Sequence, residues 1–442
     1  MSAADAGKSG GSAGMRAVTP PTPPTAKAEA DTTTATTNEE LRRTSSYIQY
    51  VEFARSRRRF TWAPGSGKAV EDWLYREFTG DAPSPSTSVL RFVQSLGEKG
   101  RRTHSTGERA GGDDKVTNLS CSALPNLSVK LTFTLDSWDN NIYNQPLSDP
   151  LVILSRVIVD SHKLLGKLGV PEIQFYNFLQ QIQTRYMHSN TYHNSFHASD
   201  VLYTLNIMVS QPVLHDWLTP LEMFVMLVAA IVHDVGHDGF NNDYHNNTKS
   251  PIALEHEFTS PQENNHLKIT LMIMAMPSCN FLDYLPEGSI GRFKEILVGL
   301  VLGTDMKNHF GLLGDVQCLI GDHGPDFRTW PRTDDTFMKL ARFLLHCADI
   351  SNPSKPTDLS KKWTHNIMEE FFRQGDAERA RGMPISPMCD RDACSVPLAQ
   401  IGFINYIVLP TFKLLAQLLP GLEQPALGNI IRNLEYWKSV SE

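Results

Sequence analysis

Three groups of histidine and aspartate stand out in the 442-residue chain by residue type and spacing. His193 and His197 lie four apart in TYHNSFHASDV, with Asp200 three further on. On a helix these side chains project from one face, turn above turn. The second group is IVHDVGHDGFNND, where His233 and Asp234 close a strongly apolar run and His237 follows one turn later. The third is FLLHCADISNP, where Asp349 ends another apolar run before a polar turn. Imidazole and carboxylate together suit zinc and harder divalent ions. A carboxylate such as Asp234 can give one oxygen to each of two ions, which an imidazole cannot. Two ions about 3.5–4 Å apart can share a hydroxide, lower its pKa and neutralise a phosphoryl oxygen. One such histidine alone would read as a hydrogen-bonded core residue. Three groups, each delivered by the end of an apolar run, read as a metal site. The spacing leaves open which histidine binds metal and which carries a proton. It points to metal-assisted hydrolysis, of a phosphoester by preference, and no further.

The elements that must position these groups are helices. From about residue 125 to the end, apolar residues recur at three and four positions, as in LVILSRVIVDSHKLLGKL, LEMFVMLVAAIV and LAQIGFINYIVLPTFKLLAQLL. These segments run about 10 to 20 residues between Pro, Gly or Asn, the pattern of helices around one core. Alternating strand patterns are nearly absent and no fixed-period repeat occurs. The expectation is an all-α fold, a compact multi-helix single catalytic domain over 125–442.

The region before it has a different texture. Residues 1–45 are rich in Ala, Thr and Pro, hold almost no large apolar side chains, and read as a disordered tail. Residues 46–124 read as a poorly defined linker with one short helical piece, SYIQYVEFARSRRRF. Its four arginines between Arg55 and Arg59 read as a solvated flank, with contact to phosphate or lipid as the alternative.

Lys plus Arg total 41 against 48 Asp plus Glu, a net charge of −7, which gives no global attraction to nucleic acid or anionic membrane. No uncharged run approaches the roughly 18 to 20 apolar residues of a spanning helix, and no secretory leader opens the chain. Six thinly spread cysteines fit free thiols in a reducing compartment. The expected location is cytoplasmic, with peripheral membrane association through Arg55–Arg59 or a partner as the variant.

The segments YHNSFHASDV, HDVGHDGFNN, SPQENNH, TDMKNH, HCADISNPSKP, EEFFRQGDAERARGMPISPMCD and QIGFINYIV follow one another over more than 200 residues. In them the chain resembles the catalytic domain of the class I cyclic-nucleotide phosphodiesterases, most closely the cAMP-specific branch. The resemblance implies a domain of the HD-type metal-dependent phosphohydrolases. It implies that His197, His233, Asp234 and Asp349 bind a tight zinc ion. Asp234 also holds a second ion, magnesium or manganese, with His237, Glu263, Thr304 and Asp305 around its waters. A hydroxide bridging the ions attacks the cyclic phosphate, and His193 protonates the departing 3′ oxygen. Glu263 is the carboxylate expected to keep that imidazole charged. Gln400 reads the purine, Phe403 and Ile367 sandwich it, and Asn352 favours adenine, with Tyr192 beside them. The implied substrate is cAMP, with dual action on cAMP and cGMP as the alternative. Nucleic acid is not an expected partner, and a homodimer is compatible with the resemblance.

Four positions depart from the family pattern. Gly236 and Asp238 replace a common aspartate and proline, Asn265 replaces a histidine, and Ser360 stands in place of an aromatic residue. Ser360 is expected to open the base pocket, and Asp238 to add negative charge near the second ion. Two rivals fit less well. A hydrolase of nucleoside triphosphates or pyrophosphates leaves Gln400 and Phe403 unexplained. An inactive relative would have lost Asp234, Asp349 or His193, and all three are present.

Overall fold

The run PLEMFVMLVAAIV has no polar face, and a helix that is apolar all round belongs at the centre of its domain. In the structure, a computed structural model that describes residues 134–144 and 150–441, residues 224–232 are all fully buried. The tail expected at 1–45, the linker and short helix expected at 46–124, and the Arg55–Arg59 run lie outside the described residues. Among the described residues the regular structure is helical throughout. In chain order the helices are α1 (Pro150–Ser161), α2 (Leu164–Leu168), α3 (Glu172–Gln183), α4 (Ser195–Val209), α5 (Pro212–His215), α6 (Pro220–Val232), α7 (Asn242–Thr248) and α8 (Pro251–Glu255). They continue as α9 (Pro261–Met274), α10 (Ser289–Leu302), α11 (His309–His323), α12 (Asp334–Asp349), α13 (Thr357–Ala380), α14 (Val396–Phe403), α15 (Leu409–Leu418) and α16 (Gly428–Ser439).

Three of these set the site. Helix α6 starts on a capping box, in which the Thr219 hydroxyl accepts from Glu222 N and the Glu222 carboxylate accepts from Thr219 N, followed by Pro220 at the first helical position. Helix α4 starts where the Asn194 side chain accepts from Phe196 N. Helix α12 starts on Thr333, with Asp334 and Asp335 in the electropositive first turn. The three pack on one another. Packing brings the first turn of α4 to the last turns of α6 and α12, so His197, His233 and Asp349 arrive from three helices.

The C-terminal helices close the other side. The expectation that no run approaches a spanning helix fails by length and composition: Val396–Leu418 is a continuous helical run of 23 residues with mean hydropathy 1.4, long and apolar enough to cross a membrane. More than half of its most apolar window is buried within the domain, and α14 packs on α16, so this run is a core element. Between α14 and α15 the chain takes one wide π turn at Ile404–Val408. Pro410 explains it, because a proline in a helix has no N–H to give and crowds the carbonyl four residues back.

Candidate active site

Four ring nitrogens and carboxylate oxygens meet where α4, α6 and α12 converge. His197 Nε2 lies 3.3 Å from His233 Nε2, 3.4 Å from Asp234 Oδ2 and 3.1 Å from Asp349 Oδ1. His233 Nε2 lies 3.1 Å from Asp234 Oδ2 and 3.5 Å from Asp349 Oδ1. His233 Nδ1 donates to Ala230 O at 2.9 Å, which leaves the Nε2 lone pair facing the cluster. Two lone-pair nitrogens and two carboxylates aimed at one point repel unless a cation lies between them. A tetrahedron with edges of about 3.3 Å has its centre about 2.0 Å from each corner, the length of a zinc bond to nitrogen or oxygen. The set fits a divalent cation. Asp234 Oδ1 faces the other way, 3.7 Å from His266 Nε2, so its second oxygen is free for another ion. Asp200, though on the same helix as His197, turns away to the ammonium of Lys355, 3.8 Å distant.

Next to this cluster stands a second one. His193 Nδ1 donates to Glu370 Oε2 at 2.7 Å, and Glu370 Oε1 accepts from the backbone N–H groups of Tyr192 (2.6 Å) and His193 (2.8 Å). Burial disfavours the charged imidazole, but Glu370 first, then Asp234 and Asp349, outweigh it and raise the His193 pKa to about 9. Cations on Asp234 and Asp349 would cancel their part, leaving Glu370 as the group that keeps His193 protonated. Burial also opposes ionisation of Glu370, yet His193 holds its carboxyl down at about 2. The His237 ring stacks on that of His193 with centroids 4.0 Å apart, and its Nδ1 accepts from Gly239 N. Burial and the neighbouring His193 charge push His237 down to about 3, so it is neutral. His193, His237 and Glu370 also approach one another closely enough to hold a cation. Since Glu370 and the Nδ1 atoms of both rings are already engaged in hydrogen bonds, they form a proton-holding dyad with a stacked neighbour.

The carboxylate against His193 is therefore Glu370, in place of the expected Glu263. Glu263 accepts instead from Asn242 Nδ2, at 2.9 and 3.2 Å to its two oxygens. Burial and then Asp305 raise its pKa to about 8, so it carries a proton at neutral pH. A signal for Glu370 is present in the sequence of α13. Trp363, Ile367, Glu370 and Gln374 follow one another at four, three and four positions, one inward face of the helix with a glutamate on it.

A cavity of about 270 Å³ collects most of the expected residues. His193, Asp234, His237, Glu263, Thr304, Asp305 and Asp349 line one end, and Tyr192, Asn352, Ile367, Gln400 and Phe403 line it as well. His197 and His233 sit behind this wall, 1% and 0% exposed. His266, Met368, Phe371 and Met388 also line the cavity, and neither type nor spacing singles them out in the sequence. The Asn352 amide donates to the Tyr192 hydroxyl. The Thr364 hydroxyl donates to Gln400 Oε1 at 3.2 Å. Asp305 Oδ2 accepts from Ser260 Oγ at 2.7 Å and lies 3.0 Å from the Lys307 ammonium.

Three of the four departures from the family pattern have local accounts, and nothing in the structure explains Asn265. Gly236 has φ +79°, and a Cβ there would come within 2.4 Å of Ile269 Cδ1, which occupies the space. Asp238 accepts from Gln262 Nε2 at 2.8 Å and lies 3.1 Å from His245 Nε2. Ser360 is buried and does not line the cavity.

The family model for 3'5'-cyclic nucleotide phosphodiesterases matches residues 192–430. Isoform F of the 3',5'-cyclic-AMP phosphodiesterase of Drosophila melanogaster is 35% identical over 312 residues, covering 69% of this chain and 47% of the relative. The chain thus spans less than half the length of that relative. The crystal structure of the phosphodiesterase domain of a rhodopsin phosphodiesterase fusion from the choanoflagellate Salpingoeca rosetta is 28% identical with a TM-score of 0.64. It is covered to 96%, with 70% of this chain. These matches correct the expected placement among HD-type phosphohydrolases: the all-α domain matches the cyclic-nucleotide phosphodiesterase fold. An H…HD…D ligand pattern needs only three converging helix ends, which more than one architecture provides. The match extends through Gln400, Phe403 and the helices around them, which that pattern does not specify.

Proposed function

The chain belongs to the 3'5'-cyclic nucleotide phosphodiesterase family, and we propose that it hydrolyses the 3′ phosphoester of a cyclic nucleotide, cAMP in preference to cGMP, to the 5′-monophosphate. The observation that carries this reading is a charged His193–Glu370 pair beside a two-histidine, two-aspartate cluster on one cavity. His197, His233, Asp234 and Asp349 hold the tight ion, which the mixed nitrogen and oxygen donors suit to zinc. The free oxygen of Asp234 takes a harder second ion, magnesium or manganese. Bound there, two cations would supply Lewis acidity, polarising the phosphoryl oxygens and lowering the pKa of the attacking water.

The chain's own groups do the rest. His193, protonated at neutral pH, gives its Nε2 proton to the departing 3′ oxygen while Glu370 holds the ring through Nδ1. His237, Glu263, Thr304 and Asp305 border the water side of the cavity. Glu263, neutral through burial, can donate a hydrogen bond there. Ile367 and Phe403 take the two faces of the base, and Gln400 meets its edge. Because the Asn352 amide donates to Tyr192, its oxygen is offered to the base. Adenine brings an amino donor to that oxygen, whereas guanine brings a carbonyl.

One observation favours dual specificity as the second reading. The Thr364 hydroxyl can donate to the Gln400 oxygen or accept from its nitrogen, so it supports either orientation of that amide. The deciding experiment is kcat/KM for cAMP and cGMP on the purified chain with magnesium. Strong turnover of cAMP with little of cGMP is expected. Comparable rates would shift the reading to dual specificity, and no turnover of either with both ions bound would sink it. We also place the catalytic domain at residues 125–442 and the protein in the cytoplasm, a location supported by the five free thiols of the described region.

A further inference from the structure

The turn Asn352–Ser354 links the Asp349 end of α12 to α13, and its two faces do different things. Asn352 and Pro353 line the cavity. The three carbonyls of residues 353–355 accept hydrogen bonds from side chains outside the site. Asn433 Nδ2 donates to Pro353 O and to Lys355 O, both at 2.8 Å. Ser354 O accepts from Trp138 Nε1 at 2.9 Å and from Asn429 Nδ2 at 3.0 Å. Asn429 and Asn433 are one turn apart on α16, and both are buried. Flipping the Asn433 amide would set its oxygen against two carbonyls, so its orientation is determined by the turn it holds. The Lys355 side chain, wholly buried, runs the other way into α4, where its ammonium donates to Thr204 Oγ1 at 2.7 Å and lies 5.0 Å from the Trp138 ring centroid.

Three successive carbonyls held by three side chains form a template for the backbone of this turn. None of the three side chains lines the cavity. The turn's outer face is thereby fixed at residues 353–355, one to three positions from Asn352, whereas Asp349 is held by its own helix. We propose that Asn433, together with Asn429 and Trp138, positions Asn352 against the purine, so that base affinity is set from the C-terminal helix and independently of the metal cluster. This rests on the reading of Asn352 given above.

The test is a double-mutant cycle on the full chain between Asn433→Ala and Asn352→Ala, read as KM and kcat for cAMP and as bound-metal content. Asn433→Ala should raise KM about tenfold, the scale of two buried carbonyls left unpaired, with kcat within about threefold and metal content unchanged. On the Asn352→Ala background the same substitution should add less than about twofold, because the residue it positions is gone. A full additional rise on that background, or a fall in kcat and metal content with KM unchanged, would overturn the proposal. Should Asn433→Ala fail to fold, Trp138→Phe removes one donor while Asn429 still holds Ser354 O. Its KM should rise about threefold, again only when Asn352 is present, and an unchanged KM overturns the proposal. The same cycle on the Kd of 5′-AMP by calorimetry decides the positioning inference even where the wild-type chain turns over neither cyclic nucleotide.

Discussion

Glu370 takes three hydrogen bonds on one carboxylate, two from successive backbone amides and one from the imidazole it charges. A group held this firmly can set another residue's pKa without moving. As the proposed acid, His193 must be protonated to act, so kcat/KM should fall as pH rises through its pKa, about 9 without cations and lower once they offset Asp234 and Asp349. Glu370→Gln keeps the shape and removes the charge, so burial then wins and the alkaline limb should move down to near 6.5 or below. A pH–rate profile whose limb does not move in that variant would detach Glu370 from the acid. Ligand and acid separate by a second pair of substitutions. Asp349→Ala should lose bound metal and nearly all turnover, whereas His193→Ala should keep its metal and lose rate. Metal analysis alongside kinetics decides, and zinc lost from the His193 variant would mean the two roles are exchanged.

At the scale of the element, α13 and the segment after it depend on an absent side chain. A Cβ on Gly375 would lie 1.9 Å from the carbonyl oxygen of Cys389. The Glu378 carboxylate ties the same segment down by accepting from Ser386 N and Oγ, both at 2.6 Å. Gly375→Ala should therefore cost about 1–3 kcal/mol of stability and raise KM, because Met388, next to Cys389, lines the cavity. Denaturant titration with kinetics checks this, and an unchanged midpoint with an unchanged KM refutes it. The helices are legible in the sequence because apolar periods of three and four are short spacings, whereas the choice among the histidines for the metal site comes from the family resemblance. Glu370 shows there only as a glutamate on the inward face of α13; its partner is 177 residues away, and only the packing of α13 against the turn before α4 joins them. The place of Ser360 differs from expectation for a related reason. Its neighbours Leu359 and Trp363 show that its turn of α13 faces the core, and it is buried with them.

For the whole molecule, the metal cluster and the core are one construction. Helices α4, α6 and α12 carry both the candidate ligands and the central packing. Without cations, two imidazoles and two carboxylates remain buried and facing one another. A ligand present at about 100 times its Kd adds about 2.7 kcal/mol to folding, or about 5 °C in Tm for a domain of this size. Chelation should lower Tm by about that much in a single transition, and added zinc should restore it. A Tm indifferent to chelator would separate the cluster from the fold. The placement among HD-type hydrolases failed at this same scale, because ligand order along a chain does not say which helices lie outside the ligand shell.

Helix α13 carries Thr364, which touches Gln400, Ile367, which lines the cavity, and Glu370, which touches His193. Thr364 and Glu370 are six residues apart, about 9 Å of stiff rod. That rod is a ruler. On the roles proposed for Gln400 and His193, a ligand that meets both must reach from one mark to the other, and a two-ring purine reaches further from its phosphate than a one-ring pyrimidine. Cyclic pyrimidine nucleotides carry the same phosphodiester, so a lower kcat/KM for cyclic CMP than for cAMP is the expected outcome, and equal values would show that the spacing does not select the base.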